Sequence, residues 1–206
     1  MATPVIELRD YPVPDGIVVP NLMPHQLKAW NGDHFLAAEV LRLKEAHGLT
    51  KALETGTCLG STTLWLAQNF VHVRTVEADE RYIAIARARM CETTNVETHW
   101  ERSSVIVALY AADFYFLDAH WGEECPLLYE LDFIGEHGHK PCILIHDFHV
   151  PGTDFGYDCM PDGRPFNLEL IRGHLDRIYG EGKWEHRYPT EVAGARRGWI
   201  SIAPCS

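Results

Sequence analysis

The stretch "ALETGTCLGS", Ala52 to Ser61, decides how the rest of the chain is read. A short apolar run ends in an acid, Glu54, and glycines follow at Gly56 and Gly60 with Cys58 between them. Hydroxyl residues then open a helical pattern, "STTLWLAQNF". A strand that turns through glycines into a helix exposes backbone N–H groups to a ligand, because glycine adopts positive φ and allows close approach. The acid is the informative half. A carboxylate beside a pyrophosphate is repelled, whereas beside an ammonium or sulfonium it is attracted.

Outward from this loop the chain alternates. "KALET" reads as a first strand and "VRTVEA" as a second, followed by a helix over "DERYIAIARARMCETT" that Asp79 is placed to cap. "VETHW" is a third strand before the helix "SSVIVALYA", and "DFYFLDA" a fourth before "CPLLYELDFIGEHG". "PCILIHDF" is a fifth, very apolar strand. Such alternation predicts an α/β fold with a mainly parallel sheet covered by helices on both faces. Upstream, helical periodicity begins near Pro24 and runs through "HFLAAEVLRLKEAHG". Downstream the rhythm breaks at an eighteen-residue loop over 150–167, "VPGTDFGYDCMPDGRPFN", expected to act as a lid that carries Phe155, Tyr157 and Phe166. A helix, "LELIRGHLDRIYG", follows, and "WEHRYPTEV" and "RRGWISIAP" read as a closing antiparallel pair.

All 206 residues read as a single domain: residues 1–34 form a proline-rich arm and a helix start, and no linker or repeat follows. The formal charge of −11 argues against a nucleic-acid partner, which would call for a basic face. No apolar run approaches the roughly 20 residues that span a bilayer, and no secretory leader is recognised. Six scattered cysteines without a CxxC pair read as reduced thiols, and a cytoplasmic location is expected. The arm at residues 1–20 is available to pack on a second subunit of a homo-oligomer.

Two further features bear on chemistry. Glu77 ends the second strand, placed to accept both hydroxyls of a ribose. "FLDAHWGEE" and "LIHDFHVPG" set Asp118 and His120 at the end of strand four, and His146, Asp147 and His149 at the end of strand five. In a doubly wound sheet these lie on the same edge as the glycine loop. Two carboxylates with interleaved imidazoles can bind a divalent metal or supply a general base. The competing reading has the aspartates capping helices or pairing with arginine.

E-x-G-x-x-x-G after strand one, the acid ending strand two and the antiparallel finish together resemble class I S-adenosylmethionine-dependent methyltransferases. Within them the chain looks like the catechol-type O-methyltransferases and bacterial methyltransferases of sugars and secondary metabolites. The resemblance spans roughly residues 35 to 205. It implies a Rossmann-like fold with a seven-stranded sheet whose last strand is antiparallel. It also implies S-adenosylmethionine as cofactor and a small-molecule hydroxyl as acceptor. Glu54, Gly56, Thr57, Gly60, Ser61 and Thr62 then line or open the methionine end, Glu77 holds the ribose, and Ser103 and Ser104 fall at the adenine. Asp118 and Asp147 match the two metal aspartates, and Phe148 stands where that family has an asparagine ligand. His149 or His146 can substitute as the third ligand to a divalent metal, Mg²⁺, Mn²⁺ or Fe²⁺; in the alternative no metal is held and His120 or His149 acts as base. Asp118, His120 and His149 are the catalytic candidates. An NAD(P) oxidoreductase is disfavoured by Glu54 and by the antiparallel finish. A metal-dependent hydrolase on the same sheet and a catalytically inactive methyltransferase-like binding protein remain as alternatives.

Overall fold

The computed structural model describes residues 24–120 and 125–205; the arm at residues 1–20 lies outside them. Two short 3₁₀ turns lead into α1 (His34–His47), and the chain then runs β1 (Lys51–Thr55), α2 (Ser61–Asn69), β2 (His72–Glu77), α3 (Glu80–Arg89), β3 (Val96–Trp100), α4 (Ser103–Leu109), β4 (Phe114–Leu117), α5 (Leu127–Glu136), β5 (Cys142–His146), α6 (Leu168–Tyr179), β6 (Trp184–Arg187) and β7 (Trp199–Pro204).

The seven strands form one sheet in the order β3-β2-β1-β4-β5-β7-β6, with β7 antiparallel to both of its neighbours. Side-chain alternation sorts the strands onto two apolar faces. Leu53, Tyr115, Leu117, Ile143 and Ile145 pack against α4, α5 and α6, while Ala52, Phe114, Phe116 and Leu144 pack against α1 and α2. Both faces being covered explains why β4 and β5 are buried at every position.

The register fixes where function can sit. Thr55 pairs with Val76 of β2 and Leu117 of β4, and Leu117 pairs with Ile145 of β5. The carboxyl ends of four strands are therefore level, and the next residues in sequence are Gly56, Glu77, Asp118 and His146.

Two local expectations change. The helix expected from near Pro24 is instead broken at Trp30 and Asn31, which have φ of 58° and 52°, and α1 starts only after Asp33. The Asp33 carboxylate accepts from the N–H groups of Phe35 and Leu36, so the cap, not the periodicity, sets the start. The hydroxyls opening α2 do not cap it; Gly60 does, at φ 74°, and the hydroxyls serve tertiary bonds. Asp79 does cap α3, accepting from Arg81 N–H at 2.8 Å.

Candidate active site

The glycine loop is shaped by the strand beside it. Gly56 has φ 82°, and a Cβ there would lie 2.6 Å from the Asp118 carbonyl oxygen. Only glycine lets the end of β4 pass this close. Cys58 takes the left-handed conformation, φ 48°, and its N–H donates to Glu77 Oε2 at 2.8 Å. The other oxygen of Glu77 accepts from Asp79 N–H at 3.0 Å. Glu77 thus ties β2 to the loop after β1. Burial raises its pKa, opposed by the backbone N–H groups it accepts. The Cys58 thiol is pushed up to about 12, chiefly by burial, which makes it a poor nucleophile.

Beneath the loop runs a hydroxyl network. Thr75 Oγ1 donates to Glu54 Oε2 at 2.7 Å, Thr63 donates to the same oxygen, and Thr57 and Thr75 share a hydrogen bond of 2.6 Å. Glu54 is 1% exposed, and burial pushes its carboxyl up to about 8 against the pull of Thr63 and Thr75. It is therefore mostly protonated at neutral pH and braces the loop from below, rather than facing the cleft as a carboxylate. Ser61 and Thr62 are likewise occupied: Ser61 donates to Gln26 O and accepts from Arg89, and Thr62 accepts Trp30 N–H at 2.9 Å.

Above the strand ends lies a cleft of about 520 Å³. Gly56 and Glu77 line one side, Ser103 and Ser104 at the start of α4 the next, and Pro126 and Tyr129 of the α5 region close it. His120 lines it where it meets β4. The structure thus brings Gly56, Glu77, Ser103, Ser104 and His120 together around one cavity.

Beside His120 sits a charge cluster. His120 Nε2 is 2.9 Å from Asp147 Oδ2, 3.4 Å from Asp158 Oδ2 and 3.8 Å from Asp118 Oδ1. His146 Nδ1 is 3.1 Å from Asp118 Oδ1 and 3.5 Å from Asp147 Oδ2. Burial opposes charge on both imidazoles, but the surrounding carboxylates outweigh it and raise both pKa values. Asp147, itself buried, is held well below the usual carboxylate range by His146 and His120. Arg197, just before β7, binds Asp147 Oδ1 through Nε and Asp158 through its other arm. One atom each from Asp118, His120 and Asp147 lie within 4.8 Å of one another. That grouping takes His120 where the sequence suggested His149 or His146. Phe148 is fully buried in the apolar core.

The 150–167 loop is stitched to the body. Asp158 N–H donates to Asp147 O at 2.8 Å, His149 N–H to Phe166 O at 2.7 Å, and Gly156 N–H to Arg196 O at 3.0 Å. Phe166 is fully buried, edge-on to His120, so this aromatic anchors the loop. His149 packs its ring edge-on against Tyr157 at 4.8 Å.

No family model and no curated protein matches the sequence. Among solved structures, the O-methyltransferase TomG of Streptomyces achromogenes, involved in tomaymycin synthesis and solved with S-adenosylmethionine, is similar at TM-score 0.62 and 18% identity, over 83% of this chain and 80% of its own. An O-methyltransferase from Bacillus cereus solved with S-adenosylhomocysteine is similar at TM-score 0.54 and 18% identity, over 93% and 84%. The N-terminal domain of EvdMO1 with S-adenosylhomocysteine bound is similar at TM-score 0.56 and 17% identity, over 82% and 81%. The chain has the class I methyltransferase fold.

Within a methyltransferase fold, the missing pieces of the sequence reading stand out. Arg197 lies fifty residues along the chain from Asp147 and gave no local signal, while Asp158 sits in the 150–167 loop, where only the aromatic residues are singled out by the sequence. Glu130 of α5 did leave one: it sits among Leu127, Leu131 and Ile134, the buried stripe of its helix. Its carboxyl is 1% exposed and pushed up to about 7, chiefly by burial, while the hydroxyls of Ser103 and Thr55 and the charge of His120 pull the other way.

Proposed function

We propose that the protein is an S-adenosylmethionine-dependent methyltransferase acting on a hydroxyl of a small molecule: a sugar, a phenol or a secondary metabolite. The observation that carries this reading is the level edge of the sheet. It sets a cleft lined by Glu77, Ser103 and Ser104 directly against the Asp118–His120–Asp147 cluster. Bound in that cleft, S-adenosylmethionine supplies a methyl carbon that the substrate oxygen bonds as the carbon–sulfur bond breaks.

The chain's own part is positioning and proton handling. Each Glu77 oxygen already accepts one backbone N–H and keeps a lone pair for a ribose hydroxyl. Ser103 and Ser104 line the nucleobase end. His120 stands on the cleft wall with its Nε2 among three carboxylates, so a proton taken from the substrate is stabilised there. His146 holds Asp118 in place from the other side.

Asp118, His120 and Asp147 form a donor set that fits a divalent cation. In place of proton uptake at His120, whose Nε2 cannot do both, these residues would hold it, and it would supply Lewis acidity that lowers the pKa of the substrate hydroxyl. An imidazole among the donors tilts preference from Mg²⁺ toward Mn²⁺ or Fe²⁺. The fit has a limit built in, since Arg197 claims one oxygen of Asp147.

Calorimetric titration with S-adenosylhomocysteine tests the reading. The expectation is micromolar binding by the wild type, weakened at least about 10-fold by Glu77→Ala, the equivalent of about 1.4 kcal/mol. Absence of wild-type binding at millimolar ligand would overturn it.

A further inference from the structure

A guanidinium stands inside the carboxylate cluster, and the backbone around it holds it there. Residues 196–198 are joined both to the 150–167 loop and to the end of β5. Gly156 N–H donates to Arg196 O at 3.0 Å, Gly198 N–H to Gly156 O at 2.8 Å, and Phe148 N–H to Gly198 O at 2.9 Å. The Arg197 side chain then passes over Gly156, where a Cβ would lie 3.0 Å from both Cδ and Nη1 of the arginine. It ends with Nε on Asp147 Oδ1 and Nη2 on Asp158 Oδ1. A planar fork fixed at two carboxylates is pre-organised in a way that a flexible ammonium is not. Asp147 meets it through a left-handed backbone, φ 54°: its carbonyl accepts Asp158 N–H at 2.8 Å while its carboxylate faces Arg197. Strain of this kind persists only where the surroundings over-determine it, as they do here.

The oxygens that Arg197 takes are ones a divalent cation would use. Asp147, Asp158 and Asp118 bring carboxylate oxygens to 2.9, 3.4 and 3.8 Å from His120 Nε2. Three carboxylates in a largely buried cluster attract a cation strongly by themselves. Arg197 cancels one of those charges and occupies one oxygen each of Asp147 and Asp158. It also repels a second positive centre one carboxylate away, where burial limits screening by salt. We propose that Arg197 is a specificity-determining residue of this site, a built-in cation that keeps a divalent ion weakly held and so leaves the substrate proton to His120. The proton half of this inference rests on the methyltransferase reading; the cation half stands on the cluster alone. A strut that merely fastened the loop would behave in the opposite way. Its loss would loosen the donor set and weaken cation binding, whereas the loss of a competitor tightens it.

The test follows Mn²⁺ binding by electron paramagnetic resonance in wild type, Arg197→Met, Arg197→Gln and Arg197→Lys, with melting temperatures taken with and without Mn²⁺. Both neutral variants are expected to bind Mn²⁺ at least about 10-fold more tightly than wild type. Arg197→Lys keeps the charge, and its affinity stays within about 3-fold of wild type. Removing the guanidinium strands the buried Asp147 carboxylate, so the neutral variants melt below wild type without Mn²⁺ and recover when it is added. Neutral variants that fall short of the 10-fold gain overturn the proposal, as does an equal gain in Arg197→Lys, or a loss of folding that Mn²⁺ does not restore. Titration of the same proteins with S-adenosylhomocysteine keeps the two readings apart. A wild type that binds S-adenosylhomocysteine, with no Mn²⁺ gain in the variants, overturns this inference alone. A wild type that does not bind it overturns the methyltransferase reading and the proton half of this inference, while the Mn²⁺ gain still decides the cation half.

Discussion

Replacing Gly56 by alanine probes the contact that joins the two halves of the site. The new Cβ would lie 2.6 Å from Asp118 O and 2.9 Å from the Asp118 carbonyl carbon, both backbone atoms that no side-chain rotation can move. An ordinary contact is about 3.4 Å, so the loop and the end of β4 must part by roughly 0.8 Å, in a layer packed at crystal-like density. The backbone φ of 82° adds a second cost. A non-glycine residue in the left-handed region loses about 1–2 kcal/mol, and overpacking of this kind typically costs about 1–3 kcal/mol. The expected loss is therefore about 2–5 kcal/mol in urea unfolding at pH 7. Because the displaced strand end carries Asp118, affinity for S-adenosylhomocysteine and for Mn²⁺ should fall together. An alanine variant within about 0.5 kcal/mol of wild type would refute the reasoning, since it would mean that β4 does not pass where the structure puts it.

Glu54 should make the protein less stable as pH rises. Its folded pKa of about 8 lies above the ordinary glutamate value of 4.5, so the folded state is favoured while the group is protonated, and the advantage is lost between pH 4.5 and about 8. Glu54→Gln, which keeps an acceptor for Thr63 and Thr75, should flatten that slope and be the more stable form at pH 8 in thermal melts. Asp147 has φ 54°, a conformation that asparagine tolerates and alanine does not. Asp147→Asn should cost about 3–5 kcal/mol by stranding Arg197, His120 and His146, and Asp147→Ala about 1 kcal/mol more; equal stability of Asn and Ala would contradict the backbone part. Mn²⁺ binding, followed by electron paramagnetic resonance, should weaken at least about 10-fold in Asp118→Asn and His120→Ala. His146→Ala should retain more of it. The reverse ranking of the two histidines would show that His146 is the ligand.

Much of the fold was legible because its signals are local. Apolar runs such as "PCILIHDF" mark buried parallel strands, and Asp79 marks the start of α3 by a bond two residues away. The N-terminal segment misled for a physical reason. Periodicity reports which residues are apolar, but the break at Trp30–Asn31 is a backbone feature, and the start of α1 is set by the Asp33 cap beyond it. In the site, the strand-end residues Glu77, Asp118 and Asp147 were readable from the pattern, since a level sheet edge follows from strand register. The role of Glu54 was not. Whether a carboxyl faces a ligand or the core depends on which face of β1 it occupies, and two threonines on β2 and α2 claim it. Arg197 reaches Asp147 across fifty residues. Such contacts arise only when β7 is laid against β5, and no window of sequence contains both.

The central claim is that the Glu77 cleft and the Asp118–His120–Asp147 cluster are two ends of one site. A crystal structure with S-adenosylhomocysteine tests it most directly. The prediction is that the ribose hydroxyls lie on the Glu77 carboxylate, the base against Ser103 and Ser104, and the sulfur on the side of His120. A ligand seated in the groove between Phe35, Arg42 and Tyr188, or bound in the cleft with its sulfur away from His120, would contradict it.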